Sequence, residues 1–280
     1  MRDFCDKVAA ITGAASGMGR ALAVELARRG CHLALSDVNE AGLADTAGMA
    51  AGLGVRVSTA RVDVADRDAM NRWADAVAAE HGKVNLIFNN AGVALAAFAD
   101  NVDHTAFEWI MGINFWGVVW GTQAFVPHLK KAGAGHIINI SSLFGLMAAP
   151  ANGTYNASKF AVRGYTEALR QELDIENCGV SATCVHPGGI RTNIAHAART
   201  DPSVYARTGV DAAAALERFD KLLSVTSADS AAQQILRAVE KNKRRVVVGL
   251  DAKVADVIVR LLGSWYQPMT TFFTRRNMFG

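Results

Sequence analysis

The feature that most constrains this chain is an alternation. Short runs of β-branched and apolar residues recur at Val8–Thr12, His32–Asp37, Arg56–Asp63, Asn85–Asn89, His136–Ser141, Ser181–His186 and Arg245–Val248. Between them lie longer stretches with apolar residues at helical spacing, such as "GMGRALAVELARRG" and "RDAMNRWADAVAAEHG". Gly30 and Gly82 stand where those helices would stop. Strands that alternate with helices build βαβ units, and such crossovers give a parallel sheet covered on both faces. The expected fold is an α/β doubly wound parallel sheet in three layers. With no break in composition and no repeat of fixed period, residues 1–280 are expected to form one domain.

Composition narrows the class. The chain is 51% hydrophobic and has only 5 prolines, enough apolar material for a large core and little sign of disordered linkers. A net charge of +3 does not suggest a nucleic-acid binder. Cys5, Cys31, Cys178 and Cys184 show no CxxC spacing, which predicts reduced thiols and a cytoplasmic location. Charges interrupt the N-terminal segment before it reaches signal-peptide length, and no apolar run is long enough to span a membrane. The histidines form no HExxH or Cys/His array, so no metal is expected. His186 reads as a strand-end residue, and "KNKRR" at 241–245 as a solvated turn before the last strand.

Chemistry enters at the first strand end. "ITGAASGMG" follows a strand and opens a helix, with Gly13, Gly17 and Gly19 around Ser16 and Met18. Glycines there let the backbone approach a pyrophosphate, and the free N–H groups of a helix start favour its charge. Alone, the cluster is also consistent with a tight turn, and its GxxxGxG spacing differs from the common GxGxxG. Asp37 ends the second strand, where a carboxylate can hold the ribose hydroxyls of an adenosine. Farther on, "NGTYNASKF" places Tyr155 and Lys159 four residues apart, hence on one helical face. A cation within about 4–6 Å lowers a phenol's pKa by roughly 1–3 units. The pair is either an exposed contact of no consequence or a proton-transfer device.

With these segments in place, the chain resembles the short-chain dehydrogenase/reductase family. "TGAASGMG", "NNAG" at 89–92, "INFWG" at 113–117, "INISS" at 138–142, "YNASK" at 155–159 and "HPGGIRT" at 186–192 match its motifs in order. The resemblance implies a Rossmann-like fold and NAD as cofactor. It assigns catalysis to Asn114, Ser142, Tyr155 and Lys159, with Asn114 holding a water linked to Lys159. It assigns cofactor binding to Gly13, Ser16, Gly17, Met18, Gly19, Asp37, Asp63, Val64, Asn90, Ala91, Gly92, Tyr155, Lys159, Pro187, Gly188, Ile190 and Thr192. It implies a homodimer or homotetramer paired through the Tyr155 helix and the one before it.

The resemblance weakens after Thr192. A substrate lid is expected at about 193–225 and a C-terminal extension at about 250–280. Leu143, Phe144, Leu146 and Met147 after Ser142, with Ala94, Leu95 and Phe98, are expected to wall a cleft for a bulky hydrophobic secondary alcohol or ketone. The alternatives are a small polar substrate such as a diol, hydroxy-ketone or sugar, or a catalytically silent NAD-binding regulator. The apolar tail "SWYQPMTTFF" packs on the chain, lines the cleft, or touches a neighbour or a membrane surface.

Overall fold

The structure, a computed structural model, describes residues 3–192, 194, 198–209 and 226–278. Most of the expected lid, at 193, 195–197 and 210–225, lies outside them. The central sheet has strands β1 (Val8–Thr12), β2 (His32–Asp37), β3 (Val57–Arg61), β4 (Leu86–Asn89), β5 (Gly135–Ile140), β6 (Val180–Pro187) and β7 (Arg245–Val248). They run parallel in the order β7-β6-β5-β4-β1-β2-β3. The expected strands and the observed ones differ by a residue or two at their ends, where fraying decides the boundary.

The helices are α1 (Gly17–Arg28), α2 (Glu40–Ala51), α3 (Arg67–His81), α4 (His104–Met111), α5 (Gly117–Lys131), α6 (Gly153–Glu176), α7 (Pro202–Thr208), α8 (Ala228–Glu240), α9 (Leu250–Leu262) and α10 (Tyr266–Met278). Their ends follow from local chemistry. Asp66 caps α3 by accepting the N–H groups of Asp68 and Ala69, each at 2.9 Å, and Gly82 stops it in the left-handed conformation at φ 76°.

Side chains of β1 alternate between two cores. Ala9 and Ile11 pack with Leu22, Leu26, Ile235 and Leu236 on one face. Val8 and Ala10 pack with Trp73, Val77, Phe125 and Leu129 on the other. A sheet covered on both faces has no solvated side, so its strands read as continuous apolar runs. Chain order reverses at β1, which is flanked by β4 and β2, and parallel sheets of this kind open a crevice at such a point, beyond the strands' C-terminal ends.

In the C-terminal extension Leu250, Val254, Val257, Leu261, Trp265, Met269, Phe272 and Phe273 are exposed in the single chain, whereas Ile258 and Tyr266 are partly buried. The extension reaches the body elsewhere: the Tyr266 hydroxyl accepts the Ala148 N–H at 3.0 Å.

Candidate active site

The crevice beside β1 is a cavity of about 310 Å³. Of the expected cofactor residues, Gly13, Ser16, Gly17, Met18, Asp37, Asp63, Val64, Asn90, Ala91, Gly92 and Thr192 line it. Val38, Val62, Val93, Ile113 and Ile194 complete its wall. A second cavity of about 320 Å³ lies by Gly135, His136, Val180 and Ser181, at the opposite ends of β5 and β6. Ligands of doubly wound sheets bind at the C-terminal ends of strands, which favours the crevice.

The glycine loop is built for close approach. A Cβ on Gly13 would sit 2.8 Å from the Ala91 Cα, and one on Gly19 only 2.1 Å from the Gly13 carbonyl oxygen. Real side chains do not fit either place, so the loop and "NNAG" pack backbone to backbone. Thr12 locks them together, a role the sequence did not announce. Its hydroxyl accepts the N–H groups of Asn90 and Ala91, both at 3.0 Å. Asn90 returns the contact by donating Nδ2 to the Thr12 carbonyl at 2.9 Å.

At the far end Asp37 is held open toward the cavity. Its Oδ2 accepts the Ala15 N–H at 2.9 Å and its Oδ1 the Asn39 N–H at 3.0 Å. Asp63 is fixed likewise by the Ala65 N–H at 3.0 Å. Val64 packs against Gly117, whose missing side chain makes room for it.

Ser142, Tyr155 and Lys159 meet at the other end. Ser142 ends the segment after β5 and caps a short 3₁₀ turn (Leu143–Gly145) by accepting the Phe144 N–H at 3.1 Å. Tyr155, in the first turns of α6, packs edge-on to Phe144, two residues beyond Ser142, with ring centroids 6.1 Å apart. Lys159 is 4% exposed, with its ammonium 5.6 Å from the centre of the Tyr155 ring. Its Nζ donates to the Ile140 carbonyl at 3.2 Å. A Cβ on Gly92 would lie 3.4 Å from that Nζ, which joins the catalytic corner to the crevice.

Two electrostatic details differ from the sequence reading. Burial holds the Tyr155 phenol above its ordinary pKa, with Ser142 opposing it, and the Lys159 ammonium lies 5.6 Å from the ring centre. Burial also lowers Lys159 to about 8, so desolvation outweighs the mutual help expected of the pair. Asn114 sits in a π-helical turn (Gly112–Trp116) between α4 and α5, fully buried. Its side chain accepts the Val93 N–H at 2.8 Å, donates to the Val93 carbonyl at 2.9 Å and donates to Ser158 at 3.2 Å. It therefore shapes the loop beside the crevice.

Pro187 at the end of β6, and Gly188 and Ile190 after it, do not line the cavity, and neither do Gly19, Tyr155 and Lys159. The expected apolar wall is realised in part. Leu143, Phe144 and Met147 are partly buried, Phe144 against Tyr155, whereas Leu146 is buried, Leu95 is buried against Tyr155, and Phe98 carries the Arg207 guanidinium 4.9 Å above its ring. Among the described residues no cluster of three or more His, Cys, Asp or Glu could hold a metal, and no helix is long and apolar enough to cross a membrane.

Residues 7–203 match the short chain dehydrogenase family. A Mycobacterium tuberculosis chain named as oxidoreductase SadH is 49% identical over 267 residues, 95% of each chain. A short-chain dehydrogenase/reductase from Burkholderia phymatum, solved with NAD, superimposes with a TM-score of 0.84 at 32% identity, over 95% of this chain and 97% of that one. Carveol dehydrogenase from Mycobacterium avium, also solved with NAD, gives 0.77 at 26% identity, over 89% and 99%.

Proposed function

The chain belongs to the short-chain dehydrogenase family, and on that premise we propose an NAD-dependent oxidoreductase acting on a secondary alcohol or ketone. One observation carries the reading: the Lys159 ammonium lies 5.6 Å from the centre of the Tyr155 ring and beside Gly92 of the crevice lining, while Asp37 lines the same crevice. The crevice fits a dinucleotide. The Gly13 and Gly19 contacts leave no side chain between backbone and pyrophosphate, and Asp37 presents acceptors for ribose hydroxyls.

When bound, the nicotinamide accepts or gives the hydride. In oxidation the alcohol carbon's hydrogen leaves with its electron pair, and the hydroxyl proton passes to the Tyr155 phenolate, leaving a ketone. Ser142 hydrogen-bonds the substrate oxygen and orients it. Lys159 would stabilise the phenolate electrostatically and would hold the nicotinamide ribose. Asn114 holds the Val93 loop against the site. Reduction runs the same steps backward with Tyr155 as the acid.

The preferred substrate is bulky and hydrophobic, because Leu143, Phe144 and Met147 give the catalytic corner an apolar wall. The chain works as a homodimer or homotetramer, with Trp116, Phe160, Gly164 and Ala168 exposed along α6 and the turn leading into α5. Its thiols suit a reducing cytoplasm: Cys31 and Cys184 are free and buried, each pushed up to about 12 by desolvation. A screen of secondary alcohols with NAD and ketones with NADH, read at the nicotinamide absorbance, tests the reaction class. Turnover of none of them would overturn it.

A further inference from the structure

The C-terminal extension meets the loop after β6 through one carboxylate. Asp251 lies in the first turn of α9, and its Oδ2 accepts the Gly189 N–H at 2.6 Å across 62 residues of sequence. Gly188 makes this reach feasible, since a Cβ there would lie 2.2 Å from the same oxygen. The other oxygen, Oδ1, is buried and has no hydrogen-bond partner among the described residues. A buried acceptor left unpaired is costly, so a carboxylate kept here serves something that packing alone does not require.

The neighbouring backbone shows what it serves. The Gly188 N–H donates to the Val248 carbonyl at 2.9 Å, and the Gly189 carbonyl accepts the Thr226 N–H at 3.0 Å. With Asp251 on the Gly189 N–H, three of the four polar backbone groups of this pair are fixed. The fourth, the Gly188 carbonyl, accepts no hydrogen bond among the described residues. A trans peptide is planar, with its C=O and N–H pointing in opposite directions. Anchoring the Gly189 N–H on Asp251 therefore aims the Gly188 carbonyl away from the extension. Two glycines in sequence have no side chains to hold this orientation themselves, and their freedom makes an external anchor matter.

We propose that Asp251 is a positioning residue of the nicotinamide end of the cofactor site, acting through the Gly189 N–H to set the Gly188–Gly189 peptide. The proposal rests on the NAD-dependent reading above and on His186, two residues before Gly188, whose Nδ1 lies 2.9 Å from the Ser142 carbonyl oxygen and so sets this strand end beside the catalytic corner, away from Asp37. Its effect should fall on the nicotinamide half of the cofactor and spare the adenosine half, which is held at Asp37 and the glycine loop.

The test titrates NAD and ADP-ribose, which lacks the nicotinamide, against the full chain by calorimetry, alongside steady-state turnover. Asp251→Ala should weaken NAD at least fivefold and lower kcat about tenfold, while leaving ADP-ribose within about twofold of the parent. Asp251→Asn keeps an acceptor oxygen in the same place and should recover most of both losses. Should Asp251→Ala fail to fold, Asp251→Ser carries the same comparison, because it keeps a polar group in the helix's first turn but falls short of the Gly189 N–H. Equal weakening of NAD and ADP-ribose, no weakening of either, or an Asn variant as impaired as the Ala variant would each overturn the assignment. If the parent chain binds neither molecule, the NAD-dependent reading itself has failed, and the proposal falls with it.

Discussion

The Nδ1 atom of His186 lies 2.9 Å from the carbonyl oxygen of Ser142. A carbonyl only accepts, so Nδ1 must carry the proton and Nε2 the lone pair. That Nε2 is buried without a partner among the described residues. The ring thus ties the backbone of Ser142 to the strand end before Pro187, and it does so as a neutral imidazole whose pKa burial lowers to about 4. His136 is built the same way. Its Nε2 is 2.7 Å from the Thr183 hydroxyl, which already donates to the Lys243 carbonyl at 2.6 Å. Nδ1 is therefore the bare, buried nitrogen, and burial takes this pKa to about 3.

Both folded values lie below the ordinary histidine value, so the unfolded chain binds these protons more readily. The stability linked to neutral rings is complete above about pH 6.5 and is lost as pH falls toward about 4 for His186 and about 3 for His136. By pH 5 each ring should have cost about 2 kcal/mol relative to pH 8. Urea melts at the two pH values should show the drop, and His136→Asn should shrink it by about half whatever its own stability. An unchanged pH dependence in that variant would refute the assignment.

Tyr155→Phe keeps the ring against Phe144 but removes the transferable proton. Turnover should fall by roughly 10²- to 10⁴-fold with NAD affinity near the parent's. Because burial raises the phenol's pKa, the base form grows only toward alkaline pH. Oxidation should therefore speed up with rising pH and reduction should slow down. A variant retaining more than about a tenth of parental turnover would remove Tyr155 from the role.

Asp37 should impose a preference for NAD over NADP. A unit-charge repulsion at about 4 Å and an effective dielectric near 20 is about 4 kcal/mol. Solvent and salt at an open site reduce it to ~1–3 kcal/mol, or about 10- to 100-fold in catalytic efficiency. Steady-state kinetics with both cofactors measure the ratio, and parity would count against a ribose role for this carboxylate.

Substrate size should matter in one direction. Along a ketone series of rising chain length or ring count, efficiency should climb, each newly buried methylene contributing about 0.8 kcal/mol. A best rate with acetoin or a sugar would point instead to a polar site.

Assembly is expected through the exposed face around Trp116, Phe160, Gly164 and Ala168. Light scattering at micromolar concentration should give the mass of a dimer or tetramer. Phe160→Glu should shift it toward the monomer, and a monomeric parent chain would end the proposal.

Much of this molecule was legible from spacing. The parallel sheet follows from alternating short and long periodicities, each a property of a dozen neighbouring residues. The glycine turn after β1, the helix stop at Gly82, and the placing of Tyr155 and Lys159 on one face of α6 are likewise set by backbone geometry within a turn or two. For that reason the sequence alone determined the fold class, the crevice end of the sheet and the residue types around it. Tertiary structure decided what depends on many elements at once. Desolvation raised Tyr155 and lowered Lys159, against the expectation from their spacing, because burial sums over everything packed around them. Thr12 gained its role from Asn90 and Ala91, 78 and 79 residues away. The tail's apolar side chains faced outward although their helical pattern was plain, since periodicity says which residues share a face but not what that face meets. Asp251 reached Gly189 because β7 pairs with β6, Val248 opposite Pro187, a contact fixed by strand pairing across the sheet rather than by any local pattern.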